Sequence, residues 1–159
     1  MFASIGRLLA RLGAGIASML ILALVVLITV EIVGRSFFDY STMLADEYSG
    51  YFYLAMVYFG LAYTFDQNGH IRIRLLTDRL NRRRRKWADM LAGTLTAFML
   101  LYALVYSWHF MRESYTMEMV SEGVSETPLY LTQIPIVIGL GFFLLSTVVF
   151  ILQKARNDQ

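Results

Sequence analysis

Histidine and carboxylate side chains beside long apolar segments are the groups in this sequence that could carry out chemistry. His70 and His109 are its two histidines, and such a pair in a small helical membrane protein could bind a haem iron. A segment predicted to span about 30 Å as a helix separates them, so they cannot reach one iron. The sequence also has no cysteine, no glycine-rich phosphate loop and no His/Glu spacing typical of metal-dependent hydrolysis. It therefore predicts neither an enzyme nor a cofactor.

Three acidic residues lie next to apolar segments and are candidates for ion coupling or partner contacts. Glu31 ends the first segment, and an acid at membrane depth is by default a functional candidate. Arg35 follows one helical turn later, so the two side chains share a face and could form an ion pair at the interface. Asp46 and Glu47 open the second segment, where they could contact a partner or stabilise the helix dipole. The ion pair and the dipole are the favoured interpretations.

The composition is that of a membrane protein. Of 159 residues, 57% are hydrophobic and 16% are charged, whereas soluble domains have about 45–50% and about 25%. Four apolar segments, at about residues 12–33, 46–65, 87–110 and 128–152, are long enough to cross a bilayer as helices. Residues 1–11 are predicted to form an amphipathic helix in the headgroup layer. The predicted fold is an all-α integral membrane protein, with one domain over residues 1–159.

A basic loop at residues 66–86 orients the predicted helices. It carries eight of the fourteen basic residues, and two more lie before the first segment and two after the last. Lys- and Arg-rich loops stay in the cytoplasm and are attracted to anionic phospholipids, whereas nucleic-acid binding is disfavoured by the uncharged flanks. The sequence therefore predicts an inner-membrane protein with both termini cytoplasmic. The residues that define this orientation most strongly are Arg82, Arg83, Arg84, Arg85 and Lys86.

Small residues within the apolar segments predict close contacts between helices. Gly13 and Ala17 are four residues apart, as are Gly93 and Ala97, so each pair presents a face that a neighbouring helix can approach. Pro135 lies near the outer end of the last segment, where a kink is tolerated.

The stretch from Glu31 to Leu76 contains the sequences EIVGRSFF, FGLAY and GHIRIRLL, with the acid pair Asp46 and Glu47 between the first two. In these motifs and their order it resembles the small membrane subunit of tripartite ATP-independent periplasmic (TRAP) transporters, the DctQ type. Arg74 departs from it, because many relatives have an acid there. The matching residues are Arg35, Asp46, Glu47, Gly60 with Ala62, His70 with Ile71, and Pro135 in the last segment.

This resemblance implies a subunit of a three-part uptake system. A periplasmic binding protein would capture a small organic acid, and a large permease subunit would move it with an ion, usually sodium. The small chain would be a scaffold for the large subunit. Two alternatives remain open, namely a self-sufficient proton-coupled multidrug-type antiporter that uses Glu31 and a membrane anchor of a redox complex. The candidates for partner contacts are Arg35, Asp46, Glu47, Gly60, His70 and Pro135.

Overall fold

Four helices make up the part of the chain that the structure describes. The computed structural model of the protein describes residues 2–66 and 81–156. The helices are α1 (Phe2–Phe38), α2 (Leu44–Asp66), α3 (Arg82–Thr116) and α4 (Leu129–Arg156). The prediction of an all-α chain is confirmed for these residues, which contain only one isolated backbone bridge, between Val120 and Pro128.

Three of these helices, α1, α3 and α4, are long and apolar enough to cross a membrane. Helix α2 has 23 residues and would extend about 34 Å, which is also sufficient for a bilayer. Its apolar part contains five tyrosines, whose phenol groups make this part less apolar than the most apolar segments of α1, α3 and α4. The crossing of the membrane by α2 therefore stays a prediction.

Helix α1 continues through the boundary that the sequence predicted near residue 12. Its 37 residues form one helix of about 55 Å, much longer than the hydrocarbon thickness of about 30 Å. Ala10 is buried, and a Cβ added at Gly6 would lie 3.2 Å from the Val149 side chain. The expected separate helix over residues 1–11 is thus replaced by a continuous one, because small residues let its first turns pack against α4. Its position in the headgroup layer stays a prediction.

Helix α4 packs against each of the other three described helices, whereas α3 packs mainly against α4. Glycines make the closest approaches. A Cβ at Gly139 would lie 2.7 Å from the Tyr58 carbonyl oxygen of α2, and one at Gly93 would lie 3.0 Å from Ile151. A Cβ at Gly13 would overlap the Phe59 carbonyl oxygen. The predicted close contacts are confirmed at Gly13 and Gly93.

The apolar core lies where α2, α3 and α4 meet. Leu100, Leu140 and Phe143 are buried there, and half-buried side chains of α2, including Tyr58 and Phe65, pack against them. This cluster lies in the middle of the bundle, whereas the polar contacts between chain segments lie at its two ends.

Replacing Gly139 with alanine tests the contact between α2 and α4. The added Cβ would meet backbone atoms of Tyr58, so the helices must separate. We expect the free energy of unfolding in detergent, followed by circular dichroism, to fall by about 1–3 kcal/mol. Gly141→Ala is the matched control, because its Cβ has nothing within 4 Å and alanine favours a helix over glycine by about 1 kcal/mol. Equal stability of the two variants would contradict this packing.

Candidate functional site

Two carboxylates hold the chain connections 39–43 and 117–128 at one end of the bundle, which we call the outer end. The first is Glu31, which is only 8% exposed. Its Oε1 accepts hydrogen bonds from Arg35 Nε at 2.9 Å and Ser41 Oγ at 2.6 Å. Its Oε2 accepts from Thr42 Oγ1 at 2.5 Å and from the Thr42 backbone N–H at 3.3 Å. Glu31 and Arg35 thus form an ion pair in the structure, and it belongs to a larger network.

The connection between α1 and α2 folds around Glu31. Asp39 and Met43 have φ angles of 48° and 54°, a left-handed conformation that ordinarily needs support from surrounding contacts. The hydroxyl groups that donate to Glu31 also accept from the backbone: Ser41 Oγ from Met43 N at 3.2 Å, and Thr42 Oγ1 from Leu44 N at 3.3 Å. Each hydroxyl therefore links the end of α1 to the start of α2.

The second carboxylate, Glu47, holds the connection between α3 and α4. Its Oε1 accepts from Tyr51 OH at 2.8 Å and from Ser121 Oγ, and its Oε2 accepts from Ser125 Oγ at 2.8 Å. A Cβ at Gly123 would overlap the same carboxylate. Residues 121–125 thus wrap closely around Glu47, and a side chain at position 123 would have to displace its carboxylate.

Thr127 extends this second network. Its hydroxyl lies 2.6 Å from Ser125 Oγ and 3.1 Å from Tyr48 OH, while its backbone N–H donates to Ser121 Oγ at 3.1 Å. Helix α4 begins at Leu129, so Thr127 precedes the helix by two residues. The threonine hydroxyl is engaged in the loop network rather than in capping.

Arg35 lies between the two networks. Its Nη2 is 3.7 Å from Asp46 Oδ2, and the two side chains are 49% and 86% exposed. Exposed pairs of this kind contribute little to stability. Arg35, Asp46 and Glu47 border one cleft together with Gly123, so the structure brings three of the predicted partner-contact residues to one place.

The other predicted residues that the structure describes lie apart from this cleft. A Cβ at Gly60 would have nothing within 4 Å among the described atoms, and Pro135 lies inside α4 without ending it. The first turns of α3 contain the five basic residues Arg82, Arg83, Arg84, Arg85 and Lys86. His70 lies outside the described residues, as does most of the basic loop.

Two contacts that the sequence analysis did not predict connect α3 to α4. At the outer end, Gln133 Nε2 donates to the buried Ser114 Oγ at 2.9 Å. The opposite end carries Asp66 and Arg156, and we call it the inner end. There, Lys154 Nζ lies 2.7 Å from Asp89 Oδ2. Polar side chains thus connect α3 to α4 at both ends of the bundle. Among the described residues, no group of three His, Cys, Asp or Glu side chains could hold a metal ion.

Comparison with known proteins assigns the chain to a family. Residues 24–157, most of the chain, match the family model described as tripartite ATP-independent periplasmic transporters, DctQ component. The chain belongs to the DctQ family. The comparison with curated proteins finds no match. The resemblance seen between Glu31 and Leu76 is thereby confirmed, and this DctQ chain is a component of a tripartite transporter.

Hydrogen exchange tests the role of Glu47 in holding the outer loop. In Glu47→Gln, one carboxylate oxygen becomes an NH₂ group that cannot accept, so at least one serine hydroxyl loses its acceptor. We expect backbone amides of Ser121, Glu126 and Thr127, which bond within the loop, to exchange about tenfold faster.

Glu122→Gln is the matched control for this experiment, since Glu122 lies in the same loop and is exposed. In Glu122→Gln, the backbone amides of Ser121, Glu126 and Thr127 should exchange as in the unmodified chain. Unchanged exchange in Glu47→Gln, or equal acceleration in both variants, would contradict the proposed closure of the loop around Glu47.

Proposed function

We propose that this DctQ chain is a scaffold for the large permease subunit of its TRAP transporter. The observation that carries this proposal is the distribution of its charges. No Asp, Glu, Lys or Arg occurs between Arg11 and Glu31, between Glu47 and Asp66, or over residues 129–153. Transporters usually bind their solute and ion near the midplane of the membrane. A chain without charge at that depth is better suited to bracing a partner than to binding an anionic solute itself.

The hydrogen bonds at the outer end support the same role. Glu31 and Glu47 accept from donors of their own chain, and these contacts fix the 39–43 and 117–128 connections. A carboxylate that moves a proton during a transport cycle must change partners, whereas one that holds two chain segments together keeps them. The arrangement around Glu31 therefore favours a structural role over the antiporter alternative.

The surface of the helices offers a large apolar area for lipid and for the large subunit. Helices α1 and α3 carry strongly exposed apolar side chains, such as Met19 and Met99, which are 74% and 71% exposed. Gly60 has open space around it, so a helix of the large subunit could approach α2 closely at this position. We therefore keep Gly60 and Pro135 as proposed contacts with the large subunit, and His70 as a proposed contact outside the described residues.

The two exposed charges at the outer cleft are the proposed contacts with the periplasmic binding protein. Arg35 and Asp46 are 49% and 86% exposed, so their charges are available to a partner. Glu47 is surrounded by hydroxyl groups of its own chain and would act indirectly, by positioning residues 121–125. In this proposal the system imports a small organic acid with sodium, in the inner membrane, and both termini of the chain are cytoplasmic.

Reconstitution in liposomes tests the scaffold role. Under a sodium gradient the DctQ chain alone should move no organic acid, and uptake should appear when the large subunit and the binding protein are added. Arg35→Gln should lower this uptake several-fold, because it removes an exposed charge and the contacts to Glu31 and Asp46. Asp39→Asn, an exposed charge of the same connection, is the control and should leave uptake unchanged.

Two results would overturn this proposal. One is full uptake by the large subunit and the binding protein without the DctQ chain. The other is proton-coupled export of cationic drugs by the purified chain alone, abolished by Glu31→Gln, which would favour the antiporter.

A further inference from the structure

A polar cavity at the inner end of the bundle takes no part in the contacts described above. It lies between α1, α2 and α4 and has a volume of about 210 Å³. Liquid water occupies about 30 Å³ per molecule, so the cavity has room for more than one water. The lining residues that matter to its chemistry are Gly6, Phe65, Asp66, Ser146, Phe150 and Gln153.

Ser146 is the feature that points to a ligand. The residue is only 6% exposed, and its buried Oγ has no hydrogen-bond partner among the described residues. Buried hydroxyl groups are nearly always paired with protein or with an ordered molecule. Because Ser146 lines the cavity, a bound group with a donor could satisfy this oxygen.

The other lining groups indicate the charge of that donor. Asp66 contributes a carboxylate and Gln153 an amide oxygen, so both can accept hydrogen bonds. Phe65 and Phe150 lie edge to face with ring centroids 5.5 Å apart. A carboxylate, further oxygen acceptors and aromatic rings are the combination that binds an ammonium group. A primary ammonium has three N–H donors, whereas a quaternary one has none and would leave Ser146 unpaired.

The location of the cavity indicates the source of the ammonium. Asp66 is the last residue of α2, and Gln153 lies in the last turn of α4, so the cavity is at the level where apolar helices leave the hydrocarbon. The headgroups of phospholipids occupy this same level of a membrane. We propose that this cavity binds the primary ammonium headgroup of phosphatidylethanolamine.

Native mass spectrometry of the full chain in mild detergent tests this site. Phosphatidylethanolamine, phosphatidylcholine and phosphatidylglycerol with identical acyl chains are added separately at equal concentration. We expect phosphatidylethanolamine to bind about tenfold more tightly than the other two, because it alone supplies ammonium donors to Asp66 and Ser146. An excess of free ethanolamine should not displace it, since the acyl chains hold the lipid in place.

Two variants remove single groups of the cavity. Asp66→Asn should weaken phosphatidylethanolamine binding about tenfold and Ser146→Ala about threefold, as expected for a charged and a neutral hydrogen bond. Asp39→Asn at the outer end and Ser107→Ala on α3 are the matched controls and should bind as the unmodified chain does. Circular dichroism checks the folding of each variant, and Ser146→Ala removes only an unpaired hydroxyl, so at least this variant should fold.

Four results would overturn the proposal. Equal binding of the three lipids, or no effect of either variant, would show ordinary annular lipid. The absence of any retained lipid would show that the cavity holds only water. Displacement by ethanolamine would identify a site for a free amine rather than for a lipid.

Discussion

Hydrocarbon offers no hydrogen-bond partner, and this constraint determines where the polar groups of the DctQ chain can lie. Its described carboxylates lie at the ends of the helices, where several accept hydrogen bonds from hydroxyl groups, whereas mid-helix hydroxyls such as those of Thr94 and Thr147 donate to backbone carbonyls of their own helix. Glu31 and Glu47 each accept from several donors of the outer connections, and Lys154 pairs with Asp89 at the inner end. Ser146 is the exception among the described side chains of the inner end, and for that reason it marks a site for a bound molecule.

Between these polar ends, the packing depends on small residues. Helices in a membrane gain little from excluding water, so they associate where their backbones can approach closely. Gly139 lets α4 approach the backbone of α2, and Gly93 lets α3 approach α4. Because α4 contacts the other three described helices, the polar connections at its outer end and the ion pair at its inner end act on the whole bundle. This combination suits a chain that keeps its shape while a partner moves.

Local spacing explains what the sequence could predict. The helices follow from long apolar segments, and the Glu31–Arg35 pair follows from residues one turn apart. The partners of Glu47 could not be predicted, because Ser121 and Ser125 are 74 and 78 residues away in the chain and approach it only when the helices pack. The close approach of Gly123 to the Glu47 carboxylate arises from that same packing. Helix α1 runs without a break through the boundary expected near residue 12, and Gly6 lies against Val149 of α4, a contact that amphipathic periodicity alone could not predict.

The central claim is that this chain is a rigid scaffold. The most direct test is to measure the distance between two of its helices during the transport cycle. The sequence has no cysteine, so spin labels can be attached at Phe38→Cys and Trp87→Cys, exposed positions on α1 and α3 at opposite ends of the bundle. Electron–electron double resonance on the assembled transporter would compare the states without sodium, with sodium, and with sodium, solute and binding protein. The account predicts one narrow distance that is the same in all three states. A second distance, or a shift on adding sodium and solute, would show that the DctQ chain itself moves and would contradict it.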